Sequence, residues 1–91
     1  MPFKSIYLVI SGRVQGVGFR YFAEHKAAEF NISGWVKNTP DGKVEIEATG
    51  EPENLNIFID WMKTGPARAI IKMVSVSEIT PIRTFTNFTI R

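Results

Sequence analysis

Residues 12–20 read GRVQGVGFR, an apolar run that breaks into three glycines and reopens on a phenylalanine and an arginine. A stretch of this kind turns a strand into a helix. Gly12, Gly16 and Gly18 lack the Cβ that forbids positive φ and keeps other groups away from the main chain. With the chain curled, successive amide N–H groups can face one concavity, and the first turn of the following helix adds N–H groups without intrahelical partners. Such a nest suits a phosphate. Arg20 falls in that first turn, where the helix dipole disfavours a cation, yet its planar fork can grip two oxygens of a phosphate or carboxylate together. Read on their own, these residues fit a phosphate cradle and a plain glycine-containing turn with a solvated arginine equally well.

Upstream of the glycines, residues 5–14 alternate Ile6, Leu8 and Ile10 against Tyr7, Val9 and Ser11, the period of a strand. Both faces are rather apolar, which places the strand inside a sheet. Downstream, Phe19, Phe22, Ala23, Ala27 and Phe30 recur at steps of three and four, predicting a helix of roughly three turns. Residues 31–33 end it, and residues 34–38 (GWVKN) read as a short second strand. Thr39-Pro40-Asp41-Gly42 is a turn by its chemistry. Residues 43–49 then alternate Val44, Ile46 and Ala48 against Lys43, Glu45, Glu47 and Thr49, a hairpin partner with one wet face. Pro52 stands in the first turn of a second helix, whose stripe is Leu55, Phe58, Ile59 and Met62, closed by Gly65-Pro66. Residues 69–78 form a β-rich run whose untidy alternation, with Ile70 and Ile71 both apolar, suits a bulge. Residues 85–91 supply a last short strand. The order is β-α-β-β-α-β plus an extra C-terminal strand: an α+β, ferredoxin-like split βαββαβ sandwich, with two helices on one face of an antiparallel sheet.

The 91 residues suffice for one domain, 1–91, with a single modest core. No cysteine is present, which removes disulfides, thiolate chemistry and cysteine metal sites. The apolar run at residues 6–10 is too short for a signal-peptide core or a membrane span, so the expected compartment is the cytoplasm. The triplets at Asn31 and Asn87 match the glycosylation acceptor but, without a secretory signal, are coincidental. A net charge of +2 with dispersed Lys and Arg is no nucleic-acid footprint. An RNA-binding use of this fold needs exposed aromatics on the third strand, where this chain has Glu45 and Glu47. Trp35 and Trp61 read as core or boundary packing.

Most catalytic classes lack their parts. His25 is the only histidine and lies within the first helix, which argues against triads and histidine metal sites. No Gly-Lys-Ser/Thr closes the glycine loop and no GxGxxG is present. There remain the loop, Arg20 and Asn38, which the split-βαβ pairing brings towards the loop. An asparagine can orient a water by donating and accepting, although before a Thr-Pro-Asp-Gly turn the residue is read first as turn chemistry. A non-catalytic anion-sensing module would use the same nest and would have no need of Asn38.

GRVQGVGFR at 12–20 and GWVKNTPDGKVEIEATG at 34–50 resemble the two signature segments of the acylphosphatase family. The likeness continues through Trp61-Met62-Lys63-Thr64-Gly65-Pro66 and the closing residues 85–91. It implies a metal-independent enzyme without cofactor, hydrolysing acyl phosphates to a carboxylate and phosphate. It further implies that Arg20 binds the phosphoryl group and Asn38 positions the attacking water. The loop amides of Gln15, Gly16, Val17, Gly18, Phe19 and Arg20 would complete the cradle, and Thr39 would help to orient Asn38. The expected partner is a small-molecule acyl phosphate, with no nucleic acid and no membrane, and the expected state is a monomer.

Overall fold

The alternation of residues 5–14 is realised as strand β1 (Lys4–Arg13), whose Ile6, Leu8 and Ile10 are buried in the core. The structure, a computed structural model, describes residues 2–91. Beyond β1 the chain forms α1 (Phe19–Glu29), β2 (Ser33–Asn38), β3 (Val44–Gly50), α2 (Pro52–Thr64), β4 (Ile70–Ile79) and β5 (Phe88–Ile90). The sheet order is β4-β1-β3-β2-β5. β1 is therefore paired on both sides, antiparallel to β3 and to β4, as its two apolar faces require.

Both helices cover one face. Phe19, Ala23 and Ala27 of α1 and Leu55, Phe58 and Met62 of α2 join Ile6, Leu8, Ile10, Val36, Val44, Ile46 and Ala48 in one buried cluster. This is the expected two-layer α+β sandwich, and removal of that apolar area from water is its main source of stability.

Three features depart from the expected details. The sheet is mixed, because β5 runs parallel to β2. After β4 the chain returns along the outer face, where the Arg83 carbonyl accepts from Thr49 Oγ1 at 2.8 Å and the Arg83 amide donates to Ser5 Oγ at 2.8 Å. It thus reaches the far edge in the direction of β2. The same segment covers the row expected to be wet: the Glu47 side chain keeps only 14% of its exposure, with Arg83 Nη1 at 3.4 Å. Tyr7 on that face donates its hydroxyl to Glu45. That hydrogen bond first, then burial and the neighbouring negative charge, pushes the Tyr7 hydroxyl up to about 12.

The third concerns Gly12, expected to help to curl the anion loop. Ser11 pairs with Met73 and Gly12 with Ile71, so Lys72 is the extra residue of a bulge in β4. Gly12 has φ 129, and a Cβ there would stand 2.1 Å from the Ile70 carbonyl oxygen. The glycine admits the neighbouring strand and takes no part in the nest.

Candidate active site

The loop between β1 and α1 is anchored at both ends, since Val14 and Phe19 are 1% and 2% exposed. Between these plugs Gly16 and Gly18 take φ 72 and φ 80. Gly18 is also the N-cap of α1 and carries no side chain to occupy the first N–H groups of the helix, and no acidic residue stands in its first turn. The first turn of α1 thus keeps its amides uncapped by any side chain and puts the positive end of the dipole at the end of this loop.

Beside the loop is a cleft of about 110 Å³ lined by Val14, Gly16, Gly18, Phe19, Arg20, Tyr21 and Asn38. Arg20 and Asn38, distant in sequence, are brought together because β2 pairs with β3 and β3 with β1. Asn38 is opposite Val44 in the ladder, which puts it in the row facing the helices. Two larger hollows include no residue of the glycine loop: one of about 640 Å³ is lined by His25, and one of about 390 Å³ shares Asn38 with the cleft and is also lined by Thr39.

The turn after Asn38 is built by its neighbour. The Thr39 amide donates to the Lys43 carbonyl at 2.9 Å and the Gly42 amide to the Thr39 carbonyl at 3.2 Å. Thr39 Oγ1 donates to Asp41 and accepts from the Lys43 amide at 3.0 Å. The Asp41 carboxyl is accordingly held below its usual range, first by the Thr39 hydroxyl and then by the Lys43 ammonium. Since Thr39 does the work of the turn, the Asn38 amide is not committed to it. The Thr39 hydroxyl is spent within the turn, on Asp41 and the Lys43 main chain, and makes no bond to the Asn38 side chain.

Gln15, expected to contribute its backbone amide, has a second role. Its side-chain Nε2 donates to the Thr39 carbonyl at 2.8 Å and to the Lys43 carbonyl at 2.9 Å. Both amide hydrogens thereby fasten the loop to the turn that follows Asn38. Only the residue type, a glutamine amid glycines, hinted at this. Arg20 is held from another side, Nη1 donating to the main-chain oxygen of Arg91 at 3.2 Å. Arg91 itself donates its amide to the Val36 carbonyl at 2.8 Å and lays its guanidinium 4.9 Å from the centre of the Trp35 ring. No helix among the described residues is long and apolar enough to cross a membrane.

Comparison with known proteins gives the family and the fold. The Acylphosphatase family profile matches residues 6–90. An acylphosphatase of Marinobacter nauticus is 45% identical over 88 residues, which span 97% of this chain and 96% of the relative. The structure of an acylphosphatase from Coxiella burnetii superposes with a TM-score of 0.94 at 37% identity, covering 98% of this chain and 93% of the other. The acylphosphatase of Bacillus subtilis gives a TM-score of 0.94 at 38% identity, with 97% and 98% covered.

Proposed function

This chain belongs to the acylphosphatase family and hydrolyses acyl phosphates, and from that premise we propose how its residues divide the work. The amides of Gln15, Gly16, Val17, Gly18, Phe19 and Arg20, with the Arg20 guanidinium, hold the three non-bridging phosphoryl oxygens. Asn38 holds a water in line behind phosphorus. The observation that carries this reading is the meeting of Arg20, the glycine loop and Asn38 in one small cleft.

Phosphoryl transfer through a loose transition state asks for positioning and charge stabilisation more than for a strong base. The water oxygen bonds to phosphorus as the bond from phosphorus to the acyl oxygen breaks. The electron pair leaves on the carboxylate, which needs no general acid because its conjugate acid is fairly strong. The water proton passes to a phosphoryl oxygen. Arg20 and the amides supply the positive charge, so turnover is expected to persist in chelator. The proposed enzyme is a monomer acting on a diffusing small molecule, with the cytoplasm as its compartment.

The test is phosphate release from an acyl phosphate in chelator, with inorganic phosphate as inhibitor. Loss of a preorganised donor lowers turnover roughly 100- to 1,000-fold. Arg20→Ala should lose at least that, together with phosphate inhibition. Asn38→Ala should lose comparable turnover and keep the inhibition. An Asn38→Ala variant that bound phosphate much more weakly than the parent would reverse the assigned roles.

A further inference from the structure

The cleft holds the phosphoryl group, and its rim decides what the acyl group meets. The cleft of about 110 Å³ takes the phosphoryl group, and the acyl group lies against its wall and rim, which include Tyr21. In-line displacement puts the leaving oxygen on the side of phosphorus opposite the attacking water. Asn38 lines the cleft from the end of β2, whereas Tyr21 lines it from the first turn of α1. A substrate whose water sits at Asn38 therefore directs its acyl group towards the helix wall, where Tyr21 stands.

Tyr21 is conspicuous for what it does not do in the fold. It is 69% exposed, and among the described residues its ring stacks on no other aromatic and its hydroxyl bonds to no side chain. The adjacent Phe22 meets Phe19 and Trp61 at 6.1 and 6.4 Å between ring centres. Trp61 is capped in turn by the Lys26 ammonium at 3.6 Å from its ring centre. Each of these rings has an aromatic or cationic neighbour, whereas Tyr21, the most exposed ring of the region, borders the cleft without one. An exposed ring loses apolar contact with water only when something is laid on it.

Resting on the phosphoryl and water placement given above, we propose that Tyr21 is the acyl-binding platform of the site and that it selects aromatic and bulky apolar acyl phosphates over short ones. The ring supplies the contact, and the hydroxyl is dispensable. An acetyl group is too short to cover it, whereas a benzoyl ring can stack.

The experiment compares benzoyl phosphate with acetyl phosphate for the parent, Tyr21→Ala and Tyr21→Phe, with inorganic phosphate inhibition measured alongside. A stacked aromatic pair is worth about 0.5–1.5 kcal/mol. The preference for benzoyl over acetyl phosphate, taken as the ratio of kcat/KM, should therefore fall about 2- to 10-fold in Tyr21→Ala, mainly through KM. Tyr21→Phe should keep the parental ratio. An unchanged ratio in Tyr21→Ala overturns the proposal, as does a loss in Tyr21→Phe equal to that in Tyr21→Ala. Because the ratio is internal to each variant, a partly folded sample does not disturb it. Failure of the catalytic reading shows separately, as retained acetyl phosphate turnover in Asn38→Ala.

Discussion

At the scale of the residue, Gln15 ties the two halves of the site. Its side chain spans from the glycine loop to the carbonyls of Thr39 and Lys43, and under the proposed division of work that span holds Asn38 at its distance from the loop. Gln15→Leu keeps the main-chain amide and loses the span. Displacing a reacting group by about 1 Å lowers turnover roughly 100-fold. We expect kcat to fall about 10- to 100-fold while inhibition by inorganic phosphate changes less than about threefold. A parallel loss of phosphate inhibition would show that the span shapes the cradle instead. Tyr7 offers a test through pH. Its folded value is raised from 10.0 to about 12, first by the hydrogen bond to Glu45. A raised acid binds its proton more tightly when folded, so the stabilisation is complete below 10.0 and disappears as pH climbs towards 12. The gap in urea midpoint between the parent and Tyr7→Phe should be constant below pH 10.0 and close above it.

At the scale of the element, the glycines of residues 12–18 divide between two jobs. Gly12 belongs to the sheet, where β4 bulges at Lys72 and the Ile70 carbonyl comes so close that no Cβ fits. Gly18 belongs to the helix start, in a left-handed conformation with open space around it. Gly12→Ala combines a forbidden φ with a main-chain clash and should destabilise by on the order of 3 kcal/mol or more. Gly18→Ala faces only the left-handed penalty, about 1–2 kcal/mol. Urea unfolding of the two variants measures the contrast, and equal losses would contradict it. In whatever fraction of Gly12→Ala folds, phosphate inhibition should match the parent, since Gly12 lies outside the cleft.

At the scale of the whole molecule, the site exists only when the sheet does. The loop follows β1 and Asn38 ends β2, and the strand that joins them laterally is β3. Phosphate bound as proposed would bind this assembled state and not the unfolded chain, and so should stabilise the fold by mass action. At a hundred times its dissociation constant the gain is about 2.7 kcal/mol. Thermal or urea unfolding should register that gain in the parent and in Asn38→Ala, and little of it in Arg20→Ala. An equal gain in Arg20→Ala would place the anion elsewhere. The outer face also belongs to this scale. Its acids seemed destined for water, yet Arg83 and the return segment of residues 80–87 lie over Glu47, Ser5 and Thr49.

The sequence by itself determined the elements and their order, because strand and helix write their periods into neighbouring residues: Ile6, Leu8 and Ile10 at steps of two, Phe19, Ala23 and Ala27 at steps of four. It also marked Arg20 and the glycine loop, whose chemistry is local. Asn38 stood between two readings; the hydrogen bonds of Thr39 show a turn made without the Asn38 side chain, and the water-holding role is the proposal. The tertiary structure alone decided the side-chain role of Gln15, the tether from Arg91 to Arg20, the parallel pairing of β5 and the position of Gly12 in the sheet. Each of these depends on groups far apart along the chain, and no local period records which distant carbonyl a side chain will meet. That is set by register and by the route of the returning chain, which only the closed sheet specifies.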